Sequence, residues 1–182
     1  MARTRLISLD DVDRLTELVV ENREFMAPYE PPRAETYHSR PGQEAAVRDA
    51  LRRHAAGGCL PRVILDDDGE VAGRITLNPI VRGPLMMANI GYWVRQHAGG
   101  RGLATAALGE IVRLCFDELG LHRLEAGTLV DNVRSQRVLG NHGFERFGLA
   151  PGMLHIGGKW QDHVLFQLLN PEPCEPEWPR ST

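Results

Sequence analysis

Apolar residues recur along the chain at two spacings, which predict helices alternating with strands. Val12, Leu15 and Leu18 follow the 3.6-residue period of a helix, whereas Ile90 and Tyr92 alternate as in a strand. The same reasoning predicts helices near 12–27, 43–56, 102–119 and 134–141, and strands near 5–9, 59–65, 71–78, 90–94, 123–130, 144–149 and 163–169. This order of elements predicts an α+β fold built on a mixed central sheet.

Composition points to one ordinary globular domain. The chain has 182 residues, of which 42% are hydrophobic and 25% charged, so residues 1–170 are expected to form a single domain with a substantial core. Residues 171–182 contain four prolines and are expected to form an extended or disordered tail. The net charge of −3 argues against a general nucleic-acid binder, which is usually basic.

Cysteine usage and hydropathy bear on the compartment. Cys59, Cys115 and Cys174 are odd in number and widely spaced, which fits neither a disulfide framework nor a metal-ligand pattern. We therefore expect a reducing cytoplasmic location and no bound metal. No apolar run approaches the roughly 18 residues of a membrane span, and no signal-peptide pattern follows Met1, so no membrane association is expected.

The segment from residue 90 to residue 105 has the pattern of a phosphate-binding turn. A strand pattern breaks at Gly100 and Gly102 and continues directly into the long helical stripe. The first amides of a helix lack internal partners and the helix dipole adds positive charge, so this turn is suited to a pyrophosphate, with Arg101 as a further cation. It is not a Walker A loop, because no Gly-Lys-Ser/Thr follows. It is not a dinucleotide fingerprint either, because Thr105 stands where the third glycine belongs.

The same segment resembles the acetyl-CoA signature of the GNAT acetyltransferases. That signature is Gln/Arg-x-x-Gly-x-Gly/Ala, and His97-Ala-Gly-Gly100-Arg-Gly102 matches it, with His97 where Gln or Arg is usual. The segment 132–144 is similar to the family's second cofactor segment, in which N-x-x-S precedes a short helix and Gly-Phe. Segment 154–166 resembles the RimJ/RimL branch of the family, and segments 21–31 and 81–83 resemble its RimJ-like members, so the resemblance covers about residues 5–172.

The resemblance implies a GNAT fold and a cofactor. The fold is a mixed sheet of about seven strands with about four helices, in which a splayed central pair of strands holds the acetyl-carrying arm of the cofactor. Acetyl-CoA or CoA is the implied cofactor, without a metal. The residues implied to bind it are Trp93, Val94, His97, Gly99, Gly100, Arg101, Gly102, Leu103, Ala104, Asn132 and Ser135.

Catalytic roles follow from the same resemblance. Ser135 is expected to contact the cofactor sulfur and Asn132 the pantetheine arm. The alternatives are that Ser135 only satisfies local amides at the start of a short helix and that Asn132 only caps it. A backbone amide near Val94 is expected to stabilise the developing oxyanion. Many members of the family use a tyrosine near this helix as general acid. Residues 136–142 contain none, so that role is empty or passes to Ser135.

The acceptor side is expected near the segment that holds Glu30. Glu30 is the candidate general base, acting through a water molecule, although a solvated loop carboxylate fits the same pattern. Phe25, Tyr29, Asn78 and Trp160 are expected to line the acceptor pocket with it, and the aromatic residues would equally suit an ordinary core.

Three functions fit these residues. An α-amine has a pKa near 7.7–8.0 and needs little help to lose its proton at neutral pH, whereas a lysine has one near 10.4. This favours acetylation of a protein N-terminus, with a small-subunit ribosomal protein as the expected partner and nucleic acid met only through the ribosome. The alternatives are a small amine acceptor (an amino acid, a polyamine or an antibiotic) and a non-catalytic CoA-binding ribosome-assembly factor. Either a monomer or a homodimer is compatible. An arginine-rich face that includes Arg33, Arg40, Arg48, Arg52, Arg53 and Arg62 is a candidate contact with such a partner.

Overall fold

The computed structural model describes residues 3–172 as a seven-stranded mixed sheet with helices on both faces. The strands are β1 (Thr4–Leu6), β2 (Leu60–Leu65), β3 (Val71–Val81), β4 (Met87–Val94), β5 (Arg123–Leu129), β6 (Glu145–Ile156) and β7 (Lys159–Leu169). Their order is β1-β2-β3-β4-β5-β7-β6, and among the described strands only β4 and β5 pair in parallel. The α+β class and the mixed sheet are confirmed.

Within residues 3–172, five α-helices connect the strands. They are α1 (Val12–Glu21), α2 (Arg23–Met26), α3 (Arg40–Ala55), α4 (Leu103–Arg113) and α5 (Val133–Gly140), and a π-helical turn extends α4 through Glu118. The stripe predicted on α1 is buried as expected. The helix α3 begins three residues before the predicted residue 43, because the Ser39 hydroxyl accepts a hydrogen bond from the Gly42 amide and caps it.

The strands differ from the prediction mainly at the ends of the chain. The first strand ends at Leu6 rather than Leu9, because Ser8 caps a short 3-10 turn in a capping box with Asp11. The final hairpin is much longer than expected: β6 reaches Ile156 and β7 begins at Lys159. Most of β6 is exposed, so its apolar residues do not alternate and the period-2 signal is missing.

The two faces of the sheet pack against different helices. On one face a large cluster of buried residues joins β3, β4 and β5 to α4 and α5 and includes Ile75, Leu108 and Leu139. On the other face a smaller cluster joins the sheet to α1 and α3 and includes Leu15 and Val47. Because successive side chains of a strand point to opposite faces, neighbouring residues of β4 or β5 pack against different helices.

The centre of the sheet separates. Strands β4 and β5 pair only where Met87–Asn89 faces Arg123–Glu125, and they diverge from there toward their carboxyl ends. The predicted splayed pair is thus present. The predicted tail lies outside the described residues from residue 173 onward. Within residues 3–172 no helix is long and apolar enough to cross a membrane.

Candidate active site

A cavity of about 210 Å³ occupies the gap between the separated strands. Its walls come from β4, β5, α5, β7 and the loop after α2, and they consist of Tyr29, Ile90, Gly91, Tyr92, Ala126, Gly127, Thr128, Leu129, Asn132, Ser135 and His163. The Thr128 hydroxyl is buried there without a hydrogen-bond partner among the described residues. A buried hydroxyl without a partner is costly, so this cavity is suited to a ligand that carries hydrogen-bonding groups.

Backbone amides of β4 also face the gap. The Arg95 amide donates to the Ala72 carbonyl on β3 at 2.8 Å. Because amides alternate between the two edges of a strand, those of Tyr92 and Val94 point toward the β5 side, where the pairing has already ended. The amide expected to stabilise an oxyanion is thus oriented into the gap.

The turn before α4 leaves the first amides of that helix open. Gly100 has φ 78° and Gly102 φ 77°, a left-handed conformation that glycine adopts without strain. A Cβ at either position would meet no heavy atom within 4 Å. Gly102 is the N-cap of α4 and has no side chain to occupy the helix amides, so those of Leu103 and Ala104 remain available to phosphate oxygens. Arg101 is exposed at the same turn.

Tyr92 meets Ser135 at the wall of the cavity. The two hydroxyl oxygens are 2.9 Å apart, and the Tyr92 hydroxyl also lies 3.3 Å from the Ser135 carbonyl oxygen. Burial raises the pKa of Tyr92, while the hydrogen bond to Ser135 lowers it. A tyrosine hydroxyl therefore stands beside the serine, although it comes from β4 and not from the helix segment where the family usually has one. The alternation of residues along the strand predicts that Tyr92 faces the core, but it does not predict that its hydroxyl lies beside Ser135.

Asn132 has one clear structural role. Its side-chain oxygen accepts a hydrogen bond from the Ser135 amide at 3.1 Å and caps α5. The amide nitrogen of the same side chain has no partner among residues 3–172 and remains able to donate. Capping and ligand binding are thus compatible in this residue.

A second cavity, of about 290 Å³, lies beside the loop that carries Glu30. Arg23, Glu30, Arg33 and His38 contribute polar side chains to it, and the turn of the β6–β7 hairpin closes one side. The Glu30 carboxylate lies 3.7 Å from the Arg33 guanidinium. Burial raises the pKa of Glu30, and the positive charges of Arg33 and His38 only partly oppose this effect. A carboxylate with a raised pKa is better suited to accept a proton than an exposed one.

Two neighbouring residues link the cavities. Tyr29 lines the gap, and the next residue, Glu30, lines the second cavity.

His163 also lines the gap, is buried, and has its Nδ1 atom 3.1 Å from the Gln161 carbonyl oxygen. It pairs in register with Leu129, which alternates away from the α4 and α5 face. The place of His163 at the gap is not predictable from sequence, because a single histidine on a strand carries no positional signal.

The remaining predicted cofactor residues do not line the cavity in the gap. His97 and Gly99 are exposed at the short turn that leads to α4. The indole of Trp93 packs against the core under α1 and α3, on the opposite face from Tyr92. Only the backbone of Trp93 is therefore near the cofactor turn.

The predicted acceptor residues are more dispersed. Phe25 lies with its ring centre 6.1 Å from that of Tyr29. The Asn78 side-chain oxygen accepts a hydrogen bond from Arg53 at 3.1 Å, outside both cavities. Trp160 is 67% exposed and packs edge-on against His155. Of this set, Tyr29 and Glu30 line a cavity.

No group of three or more His, Cys, Asp or Glu side chains in the described part of the chain has the geometry of a metal site. Cys115 is buried in the α4 core, where burial raises the pKa of its thiol to about 12. A thiol with so high a pKa is not a nucleophile at neutral pH, so Cys115 contributes to the packing of the core.

Comparisons with known proteins agree with this geometry. Residues 3–145 match the family model described as an acetyltransferase (GNAT) domain. The chain is 33% identical over 169 residues to the [ribosomal protein uS5]-alanine N-acetyltransferase of Escherichia coli, covering 92% of this chain and 87% of that one. The RimJ of Mycobacterium smegmatis, solved in complex with CoA-disulfide, superposes with a TM-score of 0.88 at 30% identity, over 93% of this chain and 84% of that one. The ribosomal-protein-S5-alanine acetyltransferase of Vibrio fischeri superposes with a TM-score of 0.90 at 26% identity, over 94% of both chains.

Proposed function

This chain belongs to the GNAT acetyltransferase family and is an acetyl-CoA-dependent N-acetyltransferase of the RimJ type, and we propose that its acceptor is the N-terminal α-amine of a protein, most specifically of a ribosomal protein. The observation that carries the proposal is the similarity to the uS5-alanine N-acetyltransferase, which extends over nearly the whole chain. It includes the loop and hairpin on the acceptor side as well as the cofactor turn.

In this proposal the two halves of the site have separate tasks. Acetyl-CoA supplies a thioester whose carbonyl carbon an unprotonated amine attacks. The amides of Leu103 and Ala104 would bind the diphosphate, and Thr128 and Asn132 would hydrogen-bond the arm in the gap. The Val94 amide would donate to the carbonyl oxygen as negative charge develops on it.

Proton transfers would take place on opposite faces of the sheet. As the new C–N bond forms, Glu30 would accept the amine proton through a water molecule; His163 is the other base that borders the gap. As the C–S bond breaks, the Tyr92 hydroxyl, held by Ser135, would donate a proton to the departing sulfur. Tyr92 and Ser135 border the α5 side and His163 the other, so donor and acceptor of protons need not compete for one position.

The test is thiol release from acetyl-CoA with three kinds of acceptor. The first is a heptapeptide that begins with a free alanine or serine, the second is the same peptide with its α-amine blocked but an internal lysine free, and the third is a set of amino acids and polyamines. Turnover with the first alone is expected, because an α-amine loses its proton near pH 7.7–8.0. Turnover restricted to the third set would overturn the proposal in favour of a small-molecule acetyltransferase.

A further inference from the structure

A buried asparagine joins the acceptor side of the structure to the segment that leads into the cofactor turn. Asn22 is 3% exposed and lies where α1 ends and α2 begins. Its side-chain oxygen accepts a hydrogen bond from the Gln96 amide at 2.7 Å, although 74 positions separate the two residues. Gln96 lies between the end of β4 and the glycine turn, so this contact holds the backbone between two parts of the site.

The other polar groups of Asn22 fix the direction of that oxygen. The side-chain nitrogen donates to the Leu18 carbonyl at 2.8 Å, and the backbone amide donates to the same carbonyl at 3.1 Å. The Asn22 carbonyl accepts a hydrogen bond from the Met26 amide at 2.9 Å. Exchanging the side-chain oxygen and nitrogen would put a donor against the Gln96 amide and an acceptor against the Leu18 carbonyl. Asn22 is therefore a rigid support for Gln96.

Pairing with β3 ends just before Gln96. The ladder between β3 and β4 reaches Val94, and the Arg95 amide still donates to a carbonyl of the β3 side at 2.8 Å. Arg95 is extended, with φ −51° and ψ 146°, so the amide of Gln96 points to the same edge as that of Val94. Asn22 thus binds the next amide in the row that faces the gap.

The position of Gln96 is transmitted to the cofactor turn. Its carbonyl accepts a hydrogen bond from the Gly99 amide at 3.0 Å. Between these two residues, Ala98 is buried in the core that includes α4. Gly102, the N-cap of α4, follows three residues after Gly99. A shift of Gln96 therefore displaces the glycine turn and the helix amides that follow it.

Asn22 also fixes one wall of the acceptor side. It begins α2, and at the end of that helix the Met26 carbonyl accepts a hydrogen bond from the Tyr29 amide at 2.8 Å. Tyr29 lines the gap. One side chain thus sets the position of the cofactor turn relative to this wall.

We propose that Asn22 is a positioning residue for acetyl transfer, which acts through the Gln96 amide to hold the cofactor turn and the Val94 amide in their working geometry. The inference rests on the proposed function for the role of Val94, whereas its effect on CoA binding requires only the cofactor turn. Without the contact the free turn samples more conformations, which CoA must then order on binding. The rate should fall as well, because a displacement of about 1 Å at the reacting groups can cost about 10²-fold.

The test compares two substitutions of Asn22 by calorimetric titration with CoA. Asn22→Leu keeps the approximate size and loses both side-chain hydrogen bonds, so the Kd for CoA should rise by about tenfold. Asn22→Asp keeps an oxygen for the Gln96 amide and loses only the donor to Leu18, so its Kd should stay within about twofold of wild type. Both variants should have a lower Tm, because each leaves a buried polar group without its partner.

Asn170→Leu is the matched control. Asn170 is a buried asparagine just after β7, and its side chain also bonds two backbone groups, the Leu121 carbonyl and the Glu172 amide. It lies near the end of β5 where β4 and β5 are still paired, away from the gap. Its replacement should lower the Tm and leave the Kd for CoA at the wild-type value.

The outcomes separate positioning from a general loss of stability. Wild-type Kd and wild-type kcat in Asn22→Leu overturn the role of Asn22, and so does an equal rise of Kd in Asn22→Asp or in Asn170→Leu. If Asn22→Leu does not fold, hydrogen exchange of the wild-type Gln96 amide decides. Slow exchange that becomes slower with CoA supports the role, and exchange at the rate of an exposed amide overturns it. CoA binding is measured without an acceptor, so failure of the peptide acceptors would overturn the proposed function and leave this test intact.

Discussion

The hydroxyl oxygens of Tyr92 on β4 and Ser135 on α5 lie 2.9 Å apart, beside the point where the two central strands separate. The two residues are 43 positions apart in the sequence, so the fold and not the local chain brings them together. The hydrogen bond therefore depends on the whole architecture of β4, β5 and α5, and it provides a sharp test of the proposed proton donor.

Replacing Tyr92 by Phe should lower kcat by about 10²-fold, because the departing sulfur loses its proton donor while the ring packing is retained. Ser135→Ala should have a similar effect, and the double variant should be little worse than either single one, since both changes break one hydrogen-bonded unit. The measurement is kcat under saturating acetyl-CoA, with the dissociation constant for CoA as the control. Wild-type kcat in Tyr92→Phe would exclude the role.

Glu30→Gln should change the pH profile as well as the rate. Below the pKa of the acceptor amine, log kcat/KM should fall with a slope of about 1, steepening to about 2 as wild-type protein passes through the raised pKa of Glu30. The variant should be slower and keep the slope of about 1 throughout. An unchanged profile in Glu30→Gln would shift the base role to His163.

Glu30→Gln should lower the rate of acetylation but raise the thermal stability of the protein at pH 8. A carboxyl group whose pKa is raised in the folded state favours folding below its unfolded pKa, and this contribution is lost as the pH rises through the folded pKa. Glu30→Gln should therefore melt at a higher temperature than wild type at pH 8, and the difference should vanish near about pH 4. Differential scanning calorimetry at the two pH values provides the measurement.

Two substitutions of Asn132 should separate its capping role from ligand binding. Asn132→Ala loses the cap on the Ser135 amide and should cost about 1 kcal/mol of unfolding free energy. Asn132→Asp keeps a capping oxygen and should restore that stability, but it removes the side-chain N–H donor. If the donor binds the arm of the cofactor, both variants should raise the KM for acetyl-CoA. A normal KM in Asn132→Asp would leave Asn132 with a capping role alone.

A pair of glycine substitutions should test the cofactor turn. Gly102→Ala strains a backbone with φ 77° and displaces the first amides of α4, so the affinity for CoA should fall by about tenfold or more. Gly69→Ala imposes comparable strain at φ 83° in the β2–β3 hairpin and should lower stability while leaving CoA affinity at the wild-type value. Calorimetric titration with CoA compares them directly. Equal affinities in the two variants would contradict the assignment.

The glycine turn was predictable because its chemistry is local. Strand, turn and helix follow each other within about fifteen residues, and a glycine-rich break directly before a helical stripe is typical of an anion-binding turn. The buried stripe of α1 was predictable in the same way, from local periodicity. The splayed pair of strands was predictable only through the resemblance of the cofactor segments to a known family. Tyr92 was overlooked because strand alternation identifies the face of a residue but not what another element brings to that face.

The charged face was predicted less well. Arg40, Arg48 and Arg52 looked like free cations in the sequence, yet Glu44 and Asp49 on the same helix pair with them. Arg33 and Arg53 have carboxylate partners as well, so this surface is a set of ion pairs rather than an open basic patch. Arg62 lies on the opposite face of the sheet and pairs with Glu110 of α4. The interpretation as a general basic contact face is not supported by these pairs.

The separation of β4 from β5 ties the catalytic cycle to the resistance of the protein to unfolding. In the part of the chain that the structure describes, the ladder between β4 and β5, which joins four strands on one side to three on the other, has only three residue pairs. Elsewhere along this seam the two halves are held by side chains around α4 and α5. A ligand that forms hydrogen bonds with the free edges of both β4 and β5 would join the two strands for as long as it is bound. Each release of product would then lower the free energy of unfolding, and each newly bound donor molecule would raise it again.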